Sequence, residues 1–143
     1  MLGVALSIVV MLLAAAWLGW QVATWRKTVE VTATTSFPTY GARLGDPHVT
    51  VTALNTGKSP VTVSRWGLRF PDGQVIVLIN DLPWSAPLPH RLDHSADGKW
   101  YIPTEDVKKQ SKTHGVRYQD LTAYVELADG RTIDARQRGI GWK

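Results

Sequence analysis

Residues 2–25 (LGVALSIVVMLLAAAWLGWQVATW) contain no charged side chain, and only Ser7, Gln21 and Thr24 among them are clearly polar. No other feature constrains the chain as strongly. As a helix rising about 1.5 Å per residue, the run spans about 36 Å, enough for a hydrocarbon core about 30 Å thick. A helix packed on a soluble core keeps a polar face that recurs every third or fourth residue, and this run has none. Trp17, Trp20 and Trp25 crowd its C-terminal end, and Arg26 and Lys27 follow. Indole rings favour the headgroup level and basic side chains the water beyond it, so these five residues read as one membrane interface.

A cleaved signal peptide is the competing reading. Ala14, Ala15 and Ala16 offer the small residues a peptidase needs. However, no Lys or Arg precedes the apolar run, and the run continues past the alanines through Trp17, Leu18, Gly19 and Trp20. Both features favour an uncleaved anchor over residues 1–27, in contact with the lipid bilayer through residues 2–25. Ala15 and Gly19 form a small-xxx-small pair of the kind that lets helices approach closely. With Arg26 and Lys27 after the span and nothing basic before it, the positive-inside bias places the following domain in the cytoplasm.

The remainder, residues 28–143, reads as one domain of short strands. Residues 28–35 (TVEVTATT) and 48–54 (HVTVTAL) alternate with period two. Residues 55–60 (NTGKSP) form a loop in which Gly57 is available for a positive φ. Residues 61–70 (VTVSRWGLRF) follow, then a turn at Pro71, Asp72 and Gly73, and a return over residues 74–79 (QVIVLI), a hairpin pattern. Val61 and Val63 are odd-numbered, whereas Trp66, Leu68 and Phe70 are even. One face cannot bury both sets, so a bulge or bend is expected between Ser64 and Gly67. Residues 75–79 are apolar at every position, the pattern of a central strand covered on both sides or the base of a groove. Residues 99–102 (KWYI) make another short strand.

Residues 121–127 (LTAYVEL), an Asp129-Gly130 turn and residues 131–135 (RTIDA) form the clearest hairpin. Leu121, Ala123, Val125 and Leu127 share its buried face, and Thr122, Tyr124 and Glu126 its wet one. One short helix, residues 103–110, is expected to be capped by Thr104, with acids in its first turn and lysines in its last. About seven strands in this length, with frequent turn signals, predict a mainly β fold: an antiparallel immunoglobulin-like β-sandwich with one short helix behind an N-terminal transmembrane helix. No βαβ alternation supports a Rossmann-type sheet, and the strands are too short and few for a membrane barrel.

The runs at residues 51–73 (VTALNTGKSPVTVSRWGLRFPDG) and 87–107 (PLPHRLDHSADGKWYIPTEDV), followed by a closing hairpin, carry a resemblance. The chain resembles small uncharacterised proteins of actinobacteria and their phages. Their pattern runs strand, Asn-x-Gly-basic-x-Pro-Val, strand, Leu-Pro-His-Arg-Leu, short strand, short helix. The likeness covers most of residues 48–135. It implies an immunoglobulin-like domain, sometimes membrane-tethered, and it implies no activity.

Chemistry is sparse. The chain has no cysteine, so disulfides, thiol catalysis and thiolate metal sites are excluded. His90 and His94 are four apart with Asp93 beside the second, which on a helix would present two ligands to a metal. Pro87 and Pro89 before them and Gly98 after them place the segment in a loop or edge, and Arg91 stands where a zinc-protease motif has glutamate. The bland reading of His90 is a local hydrogen bond. No nucleophile elbow and no phosphate loop occurs, and Asp72, Asp97 and Asp129 each precede a glycine, as turn residues do. No catalytic residue, cofactor or metal is assigned. The net charge of +4 includes Arg26 and Lys27, so the domain lacks a strongly basic surface and no nucleic acid is expected. Lys108, Lys109, Lys112 and Arg117 read as a solvated face.

The proline-rich segment at residues 80–89 (NDLPWSAPLP) holds Trp84 at its middle, next to Pro83. A stiff loop presenting tryptophan is a contact surface by chemistry, or else a lid on the sandwich end. Ile140 and Trp142 near the C-terminus similarly suggest docking, on the domain itself or on a partner, against the flexibility of the neighbouring glycines.

The expected function is that of a membrane-tethered, non-catalytic module acting by protein–protein contact with an unidentified partner, through Trp84, Pro83 and Trp142. Two alternatives remain: a metal-dependent binder or hydrolase using His90, Asp93 and His94, and an envelope component that self-associates through residues 75–79. Paired reporter fusions after Lys143 test the orientation. The cytoplasm-active reporter is expected to give the signal, and a signal from the periplasm-active one would reverse the reading from Arg26 and Lys27.

Overall fold

Alternation of buried and exposed side chains builds two sheets that share one apolar interior. The computed structural model describes residues 2–24, 29–76, 82, 84–137 and 139–142, without the side chains of residues 22–24, 40 and 142. The expected interface residues Trp25, Arg26 and Lys27, together with Pro83, lie outside the described residues. The N-terminal run is a single helix, α1 (Leu2–Thr24). Its stretch Leu2–Gln21 has a mean hydropathy of 2.4 and none of it is buried, so the helix is long and apolar enough to cross a membrane.

The first sheet is built on β1 (Val29–Ser36), β4 (His48–Asn55) and β7 (Asp97–Pro103), antiparallel in the order β1-β4-β7. The second has β5 (Val61–Arg69) and β8 (Thr122–Leu127) at its centre, with β6 (His90–Leu92) and β9 (Thr132–Asp134) at its edges. A separate ribbon pairs β2 (Thr39–Tyr40) with β3 (Arg43–Leu44). Val31, Val49 and Val51 from the first sheet meet Val63, Leu68 and Val125 from the second in one core. The Trp66 and Trp100 rings stack between the sheets at 6.4 Å and 25°.

β5 carries the expected irregularity. Val63 pairs with Leu127 and Arg65 with Glu126, so Ser64 is one residue too many for the opposing strand. That bulge turns Trp66 and Leu68 to the face already used by Val61 and Val63. The Ser64 hydroxyl donates to the Glu126 carbonyl at 3.0 Å and anchors the bulge.

Several local expectations are corrected. Tyr124, assigned to the wet face, is buried: its ring lies across Gly67, where an added Cβ would stand 2.9 Å from the phenol oxygen. Arg69 closes over the same ring at 4.9 Å and pairs with Asp134 at 3.1 Å. The 55–60 loop is organised by buried Asn55, and no positive φ falls on Gly57. The Asn55 amide donates to the carbonyls of Ser59 (2.9 Å) and Leu92 (3.0 Å), and its side-chain oxygen accepts the Gly57 N–H at 3.0 Å.

Helix α2 (Thr104–Thr113) has no side-chain cap, in place of the Thr104 cap expected. Pro103 occupies the cap position, and Thr104 is already helical. Its backbone N–H goes to the Pro47 carbonyl at 3.1 Å, so strand pairing sets where the helix begins. The helix also runs past residue 110. It stops where Gly115 takes φ +69 and the N–H groups of Gly115 and Val116 return to the Lys112 and Ser111 carbonyls, a Schellman arrangement.

The Pro71–Gly73 turn forms, with Gly73 at φ +92 and the Ile76 N–H bonded to the Leu68 carbonyl at 2.9 Å. Val75 makes only an isolated bridge to Arg69 and is exposed, while Ile76 is buried. β8 holds one edge of β5 and β6 pairs along the other, so the returning segment sits at an edge and is not a central strand. Residues 77–79 lie outside the described residues.

The C-terminal segment docks on its own domain. After β9 the chain crosses to the first sheet, where β10 (Gly141–Trp142) pairs parallel to β1 at Thr34 and Thr35. Ile140 is buried and donates its N–H to the Gln119 carbonyl at 3.1 Å. Gly139, at φ +93, sits so close to that carbonyl that a Cβ would collide with it.

Two substitutions test these supports in urea unfolding. Trp100→Ala is expected to cost about 3–5 kcal/mol, because it empties the space between the sheets. Gly139→Ala is expected to cost about 1–3 kcal/mol, from an unfavourable φ and a backbone clash. A loss within experimental error for either would refute the corresponding support.

Candidate contact surface

The residues singled out by chemistry fall in three places. The first is the end of the sandwich carrying Trp84. The segment leading from it lies along the exposed edge of β7. Ala86 donates its N–H to the Lys99 carbonyl at 3.0 Å, and the Tyr101 N–H donates to the Ser85 hydroxyl at 3.0 Å. The buried indole N–H of Trp100 reaches out to the Ala86 carbonyl at 3.0 Å. These bonds satisfy edge groups that would otherwise pair with another chain. Under the segment is a cavity of about 380 Å³, floored by Trp66 and Trp100 and walled by Leu82, Pro87 and Leu88.

Trp84 itself folds back only in part. Its ring meets His48 edge-on at 5.8 Å and 75°, yet 45% of the residue stays exposed. His48 is buried and held by a 2.7 Å bond to the Asp46 carbonyl; a carbonyl only accepts, so Nδ1 carries the proton. Trp84 thus packs on His48 with part of its surface and leaves the rest in solvent.

Phe37 and Leu44 are exposed at the same end, and the sequence reading did not single them out. Phe37 follows Ser36, which pairs with His48, and Leu44 lies in the β2–β3 ribbon just beyond. The signal was present as apolar residues embedded among Pro38, Gly41, Gly45 and Pro47, since turn residues cannot bury a neighbour in a sheet.

The second place is the His90–His94 region. On β6, His90 pairs with Val63 and sets its ring edge-on to Trp100 at 6.1 Å and 86°. Gly98 makes room, since a Cβ there would stand 2.9 Å from the His90 ring. Asp93 pairs with Arg91 at 3.0 Å. His94 Nδ1 donates to the Gly57 carbonyl at 2.8 Å. The three side chains thus have three separate partners. Among the described residues no three His, Cys, Asp or Glu side chains are grouped to hold a metal ion.

The third place is the pair of termini. Trp17 and Trp20 are exposed on α1. Trp142 contributes its backbone to β10, and its side chain lies outside the described residues. Trp66, whose neighbours Arg65 and Arg69 imitate a nucleic-acid-binding pattern, is buried against Trp100. Comparison with known proteins finds no matching family model and no curated protein of similar sequence.

The exposed and buried polar groups predict opposite mutational behaviour. Trp84→Ala is expected to cost no more than about 1 kcal/mol, because half the ring is already in water. Asn55→Ala is expected to cost about 2–3 kcal/mol, because it strands two carbonyls and an N–H in the interior. Thermal unfolding of both variants checks this ordering, and the reverse order would mean that Trp84 serves the fold.

Proposed function

We propose that this chain is a membrane-tethered, non-catalytic interaction module, in which α1 spans a bilayer and the sandwich acts by protein–protein contact through the end carrying Trp84. The observation that carries the reading is the exposure of α1 along Leu2–Trp20, with no residue of Leu2–Gln21 buried. An apolar helix with no protein cover needs another solvent, and a hydrocarbon core about 30 Å thick matches its length. Arg26 and Lys27 favour a cytoplasmic domain, and Trp17, Trp20 and Trp25 suit the interface on that side.

We read the domain as immunoglobulin-like. Strand order supports this: β1, β4 and β7 face β5, β8 and β9, as strands A, B and E face C, F and G in that fold. β6 joins the second sheet beside β5, in the place of the added strand of variable-type domains. Trp66 on β5 stands where those domains bury a tryptophan, and it packs on Trp100 in a chain that has no cysteine. Kinship with the small actinobacterial and phage proteins that the sequence resembles belongs to the same reading.

Contact through Trp84 is supported by its partial exposure on a segment stitched to β7. A large aromatic held in place loses little conformational freedom on binding. A photoreactive benzophenone residue at position 84, compared in intact membranes with one at exposed position 132 on β9, tests the reading. A discrete protein adduct specific to position 84 is expected. Equal or absent labelling from the two positions would contradict it.

A further inference from the structure

We propose that the outer face of the first sheet is a binding site for a neutral oligosaccharide. The site goes beyond the contact reading above and is separate from it, since Trp84 is not among the residues that line it.

Strand register places its residues. Across β1, β4 and β7, Thr32 pairs with Thr52 and Thr52 with Lys99, while Thr34 pairs with Thr50 and Thr50 with Tyr101. Directly opposed residues project to one side of a sheet. Their chain neighbours Val31, Ala33, Val49, Val51, Trp100 and Ile102 fill the core, so the threonines face outward. Ser36 extends the row, with its hydroxyl 2.6 Å from that of Thr50. Residues 135–137 after β9 line the same groove, whose volume is about 680 Å³. Gly141, paired with Thr34, lines it without a side chain to narrow it.

The chemistry of the groove selects its ligand. A hydroxyl both donates and accepts, as the hydroxyls of a sugar do, and those of Thr32, Thr34 and Thr52 have no hydrogen-bond partner among the described residues. Opposed side chains on antiparallel strands stand about 5 Å apart at Cβ, close enough for a threonine pair to reach one sugar ring. Half-buried Tyr101 closes the second threonine row and adds an aromatic ring with a polar tip, suited to the C–H face and the hydroxyls of a pyranose. Glu30 and Asp97 balance Lys99 and Arg136, so the groove has no net charge with which to hold a polyanion. An extended peptide would need a free strand edge. β10 occupies that of β1, and Ser85 and Ala86 bond along that of β7. An apolar ligand would strip the hydroxyl floor of water without replacing its hydrogen bonds.

Calorimetric titration of the full chain, in a detergent without a sugar headgroup, tests this. The probes are neutral tetrasaccharides of glucose, mannose, galactose and N-acetylglucosamine, with a sulfated tetrasaccharide for comparison. At least one neutral probe is expected to bind with a dissociation constant of about 1 mM or tighter, unaffected by added salt. The double variant Thr32→Val, Thr52→Val keeps the β-branched shape, removes two hydroxyls and is expected to weaken binding about tenfold. Tyr101→Leu is expected to weaken binding as well. Thr132→Val, on β9 of the other sheet, is expected to leave it unchanged. Thermal unfolding checks that each variant is folded. Failure of every neutral probe to bind overturns the proposal. So does binding confined to the sulfated probe, which would make the groove an anion site. Binding that survives both groove variants overturns it too, and would place the sugar elsewhere on the chain.

Discussion

The fold outside α1 is organised around the stacking of Trp66 against Trp100 between the two sheets. The chain has no cysteine to tie its sheets together, and this aromatic pair packs between them. Its influence extends outward. The Trp100 indole N–H fixes the Ala86 carbonyl, which holds the segment along β7 and so sets where Trp84 emerges. His90 leans on the same ring, and Gly98 lacks a side chain where the two rings meet. The buried pair thus determines both the shape of the core and the part of the surface most suited to contact.

The main architecture was legible because period-two alternation reports directly on which face is buried. The break of parity within residues 61–70 marked the bulge at Ser64, since only an extra residue lets Val63 and Trp66 share a face. Features that rest on tertiary neighbours were not legible. Tyr124 sits on the polar parity of its strand, and only the absent side chain of Gly67 on the adjacent strand allows it to be covered. Nor does alternation show whether residues 74–76 find a central slot, because β6 claims the same edge of β5 from elsewhere in the chain.

Helix α2 shows the same division. Its C-terminal stop at Gly115 is a local signal that could have been found in the sequence, whereas its start follows from the β4–β7 register and overrides the capping preference of Thr104. In the candidate contact surface, Trp84 was visible from composition alone. Its neighbour His48 is placed by the pairing of β4 with β1 and β7, and single-sequence reading has no access to that placement.

The chain joins an apolar helix of which no residue from Leu2 to Gln21 is buried to a sandwich that holds a hydrophobic core of its own. The central claim is that α1 remains on the chain and lies in a bilayer. Alkaline extraction of membranes from expressing cells, followed by intact-mass measurement, tests that claim most directly. The account predicts that the protein stays in the membrane pellet at the full 15.8 kDa of the sequence. Release into the supernatant, or a mass reduced by the loss of the N-terminal residues, would contradict it.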